Sequence, residues 1–392
     1  MQRETSALRA TATRTTSEAV RPPAPVETEP VENVEAPWPA APLAEAVEGA
    51  MGLTATVLSE FLAERVRLAA ARSEVAARLW TDLAGVVGGK LMRPRLTVAA
   101  YLGLGGDDPA AVAPVAAAVE VLHTAMLVHD DLLDHDEVRR GRPNVAGATR
   151  ARLHGQGLDE RAVTDQVLAA GLLAGDLAIA AAFSLVATAP TTPSARVRVI
   201  ERLAEGIETT VVGELLDMAA ALSAPRDVDA LAVAELKTAA YSGCLPLVVG
   251  AILAGADDEL VADLGAVGSA LGVAFQLTDD ELGVFGDPAV TGKSVVSDLR
   301  EGKRTELLRR TYALADDEGC AVLDRFVGRA DLDDDGAAAV RAIMVSTGAL
   351  ESVRELTRRT GMHARELAVT RLPEPLGGYL VGVVEDLVGR GH

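Results

Sequence analysis

From about Leu43 onward, apolar residues recur at helical spacing. Leu58, Phe61, Leu62 and Ala69 share one face, with Leu68 on its flank. Val167, Leu168, Leu172 and Leu173 repeat the pattern, followed by Ile179, Phe183 and Val186. Breakers separate the blocks: Gly88-Gly89, Gly105-Gly106, Pro190 to Pro193, Pro225, Gly286 to Pro288, and the acidic stretch Asp333-Asp334-Asp335-Gly336, which reads as a turn. Few stretches alternate with period two. The pattern predicts an all-α fold, a single large helical bundle of roughly ten or more helices over residues 43–392. Residues 1–42 have no periodicity; Arg21-Pro22-Pro23-Ala24-Pro25 and the Glu/Pro/Val stretch after it predict a disordered N-terminal arm.

Two apolar runs invite a membrane reading. Thr238 to Ala256 carries no charge and approaches bilayer-spanning length, but Tyr241, Pro246 and several glycines interrupt it, which predicts a buried core helix. Leu177 to Pro190 is too short to span. No transmembrane segment is therefore expected. Apolar residues make up 49% of the chain and aromatics only 3%, a balance suited to closely packed helices. The net charge of -20 argues against nucleic acid as a partner. It leaves anionic ligands open, because local cations or a bound metal can invert the field. Cys244 and Cys320 form no CxxC pair, so a disulfide scaffold or zinc site is not expected and the cytoplasm is the default location.

The most informative stretch runs from His123 to Gly141. An almost uncharged segment, Val112 to Val128, broken only by Glu120, leads into Asp130-Asp131-Leu132-Leu133-Asp134 and then Arg139-Arg140-Gly141. Residues four apart share a helix face, so Asp130 and Asp134 point into the same space. Like charges held so close require something positive between them. Hard oxygen donors without cysteine favour Mg2+, which commonly binds through one or two carboxylates plus substrate phosphate. Arg139 and Arg140 suit phosphate, because guanidinium forks match its oxygens. An Asp-rich patch alone is usually a solvated helix face; its position at the end of an apolar run sets this one apart.

Lysine usage adds a second signal. Of 37 cationic side chains only four are lysines: Lys90, Lys237, Lys293 and Lys303. A chain that avoids lysine so consistently keeps it where a compact ammonium must approach an anion closely. Lys90 stands in Gly88-Gly89-Lys90-Leu91-Met92-Arg93-Pro94, Lys237 precedes Thr238, and Lys293 follows Gly292. Lys303 lies in Asp298-Leu299-Arg300-Glu301-Gly302-Lys303-Arg304-Thr305. A second acidic stretch reads Phe275-Gln276-Leu277-Thr278-Asp279-Asp280-Glu281-Leu282-Gly283, and Gly213-Glu214-Leu215-Leu216-Asp217 and Gly175-Asp176 complete the set.

In combination these segments resemble the polyprenyl synthetase family, the trans-isoprenyl diphosphate synthases, and most of all its bacterial geranylgeranyl diphosphate synthases. The resemblance covers about residues 45 to 390. It implies the isoprenoid-synthase type of bundle around a central cavity, and head-to-tail condensation of isopentenyl diphosphate with dimethylallyl, geranyl or farnesyl diphosphate. By the same resemblance Lys90, Arg93, His123 and Arg140 bind the isopentenyl diphosphate. Arg139, Lys237 and Lys293 grip the allylic diphosphate, while Thr238 and Gln276 face the reacting carbons. Asp130, Asp134 and Asp279 hold three Mg2+, supported by Asp131 and Asp280, and Lys303 falls on a further substrate-binding motif position. A homodimer is implied as well.

Two departures stand out: Gly283 replaces the last Asp of the second motif, and Glu214 replaces a Gln. Asp287, one turn beyond Gly283, is a candidate to compensate. Product length should depend on Leu122, Ala125 and Met126, behind Asp130 on its helix. A small Ala and a flexible Met, where farnesyl-forming relatives often carry aromatics, leave room for a longer tail and predict a C20 product, geranylgeranyl diphosphate, with C15 and C25 as the alternatives. Two other readings compete. A class I terpene cyclase would use the same fold, but its Asn-x-x-x-Ser-x-x-x-Glu metal motif has no match at Asn144, since position 148 is Ala. A non-catalytic partner subunit would explain Gly283 and Glu214 but not the four retained lysines.

Overall fold

The computed structural model describes residues 40–286 and 296–389. Lys293 and Asp287 lie outside them, as does the N-terminal arm up to residue 39; the first helix begins at Ala40, inside the stretch assigned to the arm. The first half comprises α1 (Ala40–Ala70), α2 (Glu74–Val86), α3 (Met92–Gly103), α4 (Pro109–Leu133), a hairpin of β1 (Val138–Arg139) and β2 (Arg142–Pro143), α5 (Val145–Leu153), α6 (Glu160–Thr188) and α7 (Pro193–Ala220). Then come α8 (Ala230–Val233), a π-helix (Ala234–Cys244), α9 (Leu245–Ala254), α10 (Asp258–Phe285), α11 (Ser297–Glu301) and α12 (Glu306–Leu314). The chain closes with α13 (Asp317–Phe326), α14 (Asp334–Ser346), α15 (Ala349–Arg371) and α16 (Leu376–Gly389). Among the described residues the hairpin is the one piece of sheet, with Val138 opposite Pro143 and Arg139 opposite Arg142.

Helix starts follow from capping chemistry. Asp108, Asp159 and Asp257 each accept a hydrogen bond from the first turn of α4, α6 and α10, at 2.8 to 2.9 Å, satisfying amides that have no partner within the helix. The acidic stretch at Asp333 works the same way. Rather than a turn it is the start of α14, with Asp333 accepting from the Gly336 amide.

α4 is the axis of the bundle. Its Ala/Val surface is buried nearly all round, as expected of a helix enclosed by neighbours. One core surrounds it, drawing on α1, α3, α6, α9, α10, α15 and α16; a second forms around Leu277, Leu299, Leu307, Leu323 and Val353. α10 contributes to both and so joins them.

The α6 face predicted from Val167, Leu168, Leu172 and Leu173 is not the core face. Val167 is buried, but the three leucines are 53%, 49% and 52% exposed. The buried side is small instead: Gly171, Ala174, Gly175, Ala178 and Ala182 let α6 lie close to α4. Gly175 is obligatory there, because a Cβ would overlap the His129 ring. The stretch Thr238 to Ala256 is buried as predicted but is not one regular helix, since its first part is π-wound. Among the described residues five helices are long and apolar enough to cross a membrane, including α6, which contains the run from Leu177. Their most apolar windows are buried to different degrees, 83% in α4 and 67% over Ala230–Ala254, but 39% in α6.

Candidate active site

α4 ends at Leu133, and Asp134 caps it. Asp130 and Asp134 thus emerge one turn apart where a helix deep in the core reaches the surface. Two such charges one helical turn apart, about 5.5 Å, would repel by about 3 kcal/mol at an effective dielectric of about 20. Lysines answer them. Lys237 Nζ lies 3.0 Å from Asp130 Oδ1, and Lys303 Nζ lies 3.0 Å from Asp134 Oδ2. Arg139, carried back by the hairpin, donates from Nε to Asp131 Oδ1 at 2.6 Å and reaches Asp130 Oδ2 at 3.2 Å. Burial raises the Asp130 pKa, but Lys237, Lys303 and Arg139 outweigh it and hold the carboxyl below its ordinary value. Asp131 goes the other way: burial outweighs Arg139 and raises it.

Lys237 sits in the π-helix, whose i→i+5 winding also carries Thr238, Tyr241 and Ser242. α7 lies against its backbone because position 213 is glycine; a Cβ there would overlap the Lys237 backbone. From α7, Glu214 and Asp217 reach the ammonium at 3.0 and 2.6 Å. Burial works against the Lys237 charge, yet Asp130, Asp217 and Glu214 together raise its pKa above the ordinary lysine value. Lys303 is similar: burial opposes its charge, while Asp134, Asp298 and Glu301 raise its pKa.

A second group assembles beside the first. Arg93 donates to Ser242 Oγ at 2.8 Å and stands 5.3 Å from the Tyr241 ring centre. Tyr241 stacks on His123, its hydroxyl 3.4 Å from Nδ1. Arg140, in a left-handed backbone conformation (φ 54°), donates to the Gly88 carbonyl and covers Gly89, whose place no side chain could share. Arg140 is thereby bound to the Gly88-Gly89-Lys90 loop, and Lys90 is exposed. Burial lowers the His123 pKa well below the usual histidine value, reinforced by Arg93, Arg140 and Arg139, so this imidazole is neutral. Glu120, almost completely buried, is pushed up to about 7 by desolvation, against the pull of Arg93 and Arg140. A cavity of about 600 Å3 opens here, lined by Lys90, Arg93, Arg95 and Ser242 together with Leu96, Leu271, Phe275 and Leu387.

On α10, Gln276, expected to face the reacting carbons, donates to Asp280 Oδ1 at 2.7 Å. Desolvation pushes Asp280 up to about 7. Asp279 is exposed. Leu122 and Ala125 are fully enclosed and Met126 is half-buried against the main core. None of the three lines the cavity beside Lys90.

No three Asp, Glu, His or Cys side chains among the described residues are grouped closely enough to enclose a metal ion. The donors nevertheless suit Mg2+. They are carboxylate oxygens with no sulfur, and Asp134 Oδ2 is buried without a well-formed hydrogen bond although the Lys303 ammonium is near. Sequence reasoning passed over Tyr241, Ser242, Glu120 and Glu301. Tyr241 and Ser242 follow Lys237 by four and five positions, but only the π winding places them beside His123 and Arg93.

Residues 81–344 match the polyprenyl synthetase family, and the chain belongs to it. It is 37% identical over 291 residues to a geranylfarnesyl diphosphate synthase of Aeropyrum pernix, covering 73% of this chain and 84% of that protein. It is 36% identical over 290 residues to a (2E,6E)-farnesyl diphosphate synthase of Mycobacterium bovis, covering 71% and 74%. A crystal structure of geranylgeranyl pyrophosphate synthase from Corynebacterium glutamicum, complexed with isoprenyl diphosphate and magnesium, superposes with a TM-score of 0.81 at 28% identity, covering 86% of this chain and 98% of the other. The chain is therefore a prenyltransferase of the trans-prenyl diphosphate synthase class. These relatives are synthases, not cyclases or regulatory subunits.

Proposed function

We propose that this enzyme condenses isopentenyl diphosphate with an allylic diphosphate in a Mg2+-dependent head-to-tail transfer, giving geranylgeranyl diphosphate. One observation carries the reading: at the end of α4 each half-buried carboxylate is met by cations, Asp130 by Lys237 and Arg139, Asp134 by Lys303. Such an array is built for a diphosphate bearing metal ions. Asp130, Asp134 and Asp279 are the residues that would hold Mg2+, supported by Asp131 and Asp280; bound there, the ions supply Lewis-acid stabilisation of the departing pyrophosphate.

The remaining chemistry belongs to the side chains. As the allylic C–O bond breaks, negative charge grows on the leaving group. Lys237 and Arg139 are already oriented and remain charged, so they stabilise that growth without reorganising. Lys293 belongs with them by family resemblance. Arg93, Arg140 and Lys90 hold the isopentenyl diphosphate, and His123, being neutral, contributes a hydrogen bond rather than a charge. Thr238 lies one residue beyond Lys237, where the allylic carbons would rest. Lys303 keeps Asp134 oriented until the substrate arrives. Apolar walls protect the allylic cation from water. The isopentenyl double bond attacks it, and the pyrophosphate takes the proton lost from the new chain.

The C20 product rests on small Ala125 and flexible Met126 behind Asp130. Relatives that make farnesyl and geranylfarnesyl diphosphates bracket it on either side. A homodimer in the cytoplasm is part of the proposal. Its support is the apolar exposed surface of α6 and α7, including Leu168, Leu172, Val211 and Leu215. Incubation of the full chain with isopentenyl diphosphate, Mg2+ and each of dimethylallyl, geranyl and farnesyl diphosphate tests the reaction. A C20 product that disappears with EDTA is expected; no consumption of isopentenyl diphosphate with any primer contradicts it.

A further inference from the structure

The hairpin that carries Arg139 and Arg140 has little of its own to hold it in place. Its strands are two residues each, and an isolated two-stranded hairpin is marginal in water. No apolar side chain anchors it: Val138 is 59% exposed, and Arg142 and Pro143 are exposed as well. His135 just before it and Arg140 within it take left-handed backbone conformations, which cost free energy. The anchor is Asn144, at the base of the hairpin and 2% exposed. Its Nδ2 donates to the Asp136 carbonyl at 2.7 Å, and its backbone amide donates to the Glu137 carbonyl at 3.0 Å. These two bonds join the start and the end of the stretch 136–144. Its Oδ1 accepts from the Gly147 amide at 2.9 Å and so caps α5. The same side chain hydrogen-bonds to Asp131, the buried carboxylate that receives Arg139 Nε at 2.6 Å. Gly147 lets α5 come this close, because a Cβ there would overlap the Glu137 carbonyl.

We infer that Asn144 is a positioning residue for prenyl transfer: its buried amide closes the base of the hairpin against the end of α4 and thereby sets Arg139 beside Asp130. This role rests on the reaction proposed above. A serine would cap α5 as well as asparagine does. It has a single O–H donor on a shorter stem, however, and could not serve Asp136 and Asp131 together. Arg140 has a tie of its own, to the Gly88 carbonyl, so the effect of Asn144 falls on Arg139 and on the allylic diphosphate.

Asn144→Ser separates the two duties of the residue, since it keeps the cap and loses the amide. Four full-length proteins are compared: native, Asn144→Ser, Arg139→Gln and the double variant. Calorimetric titration with inorganic pyrophosphate in the presence of Mg2+ reads binding, and steady-state kinetics reads kcat and the KM of each substrate. A misplacement of about 1 Å can cost on the order of a hundredfold, so Asn144→Ser should lower kcat/KM for the allylic substrate by about tenfold to a hundredfold. Pyrophosphate affinity should fall by about tenfold, while KM for isopentenyl diphosphate changes by less than about threefold. The thermal melt should stay close to that of the native chain, because the cap remains. In the Arg139→Gln background the same exchange should cost less than about threefold, since a residue that acts through Arg139 has nothing left to act on. Asn144→Asp, which keeps the cap and the shape but turns the donor into an acceptor, gives the same reading if Asn144→Ser does not fold. A pyrophosphate affinity within about twofold of native for Asn144→Ser, or a loss of equal size with and without Arg139, overturns the inference. Turnover of isopentenyl diphosphate by the native chain with an unchanged titration removes only the role of Asn144. A titration that responds through Arg139 in a chain without turnover removes the prenyl-transfer reading and leaves that role standing.

Discussion

At the end of α4, Asp130, Asp131 and Asp134 come from one helix and its cap, whereas the end of α10 supplies Asp279 and Asp280, and Asp298 of α11 lies beside Gly283. The two regions hold comparable chemistry by different means. In the first, helical periodicity alone sets the carboxylates on one face, so the arrangement is local and survives wherever the helix does. In the second, the arrangement exists only once α11 has packed beside α10. In the first region cations stand directly beside the carboxylates. They are Lys237, Lys303 and Arg139, while Asp280 has the Gln276 amide and remains near the midpoint of its titration at neutral pH.

The largest effect should come from breaking the local half. Asp130→Asn removes a charge that faces Lys237, Arg139 and the proposed metal. It should lower kcat/KM for the allylic substrate by about a thousandfold, the cost of removing one pre-organised electrostatic group. The melting temperature should change little, because Glu214 and Asp217 still neutralise Lys237. A steady-state assay beside a thermal melt checks both.

A smaller effect concerns the buried stretch beneath that half. Glu120 has a folded pKa of about 7 against an ordinary value of 4.5. Being raised, it makes a contribution to stability that is present below about pH 4.5 and lost as pH rises through 7. The loss amounts to about 3 kcal/mol for a shift of about 2.5 units. His123 has the opposite sign. Its folded pKa is lowered, so its contribution is present above 6.5 and lost on acidification. The two oppose each other between 4.5 and 6.5. Glu120→Gln should therefore gain stability over the native chain as pH rises from 5 to 8, and fall more steeply than native below 6.5. Denaturant unfolding at a series of pH values checks the sign; a pH-independent difference between the two proteins contradicts it.

The smallest effect in free energy is a change of product. Ala125→Phe inserts a ring behind Asp130 and should shorten the dominant product by one five-carbon unit, with the rate of the first condensation changed by less than about tenfold. Chromatography of the dephosphorylated products reads it directly. An unchanged product length would remove Ala125 from control of chain length.

The legible parts of this molecule are those that depend on neighbours in sequence. The breakers at Gly88, Gly105, Pro190 and Pro225 fall between helices, the Asp130 to Asp134 face follows from helical spacing, and the rarity of lysine marks Lys237 and Lys303 before any contact is known. The illegible parts are tertiary. Leu168, Leu172 and Leu173 share a helix side with buried Val167, yet small residues permit closer approach to α4 and win the core face. The π winding that sets Tyr241 against His123 leaves no periodic signature distinct from an α-helix. Gly283 departs from the family pattern in the sequence, and only the fold shows Asp298 of α11 packed against it.

The claim that joins these points is that the ends of α4 and α10 form one site. A double-mutant cycle on kcat/KM with Asp130→Asn and Asp279→Asn tests it directly. If both carboxylates serve one metal-diphosphate assembly, the double variant should lose little more than Asp130→Asn alone, because residues acting as a unit are strongly non-additive. Losses that multiply, the double variant falling by the full product of the two single factors, would mean that the two regions act independently and would contradict the account.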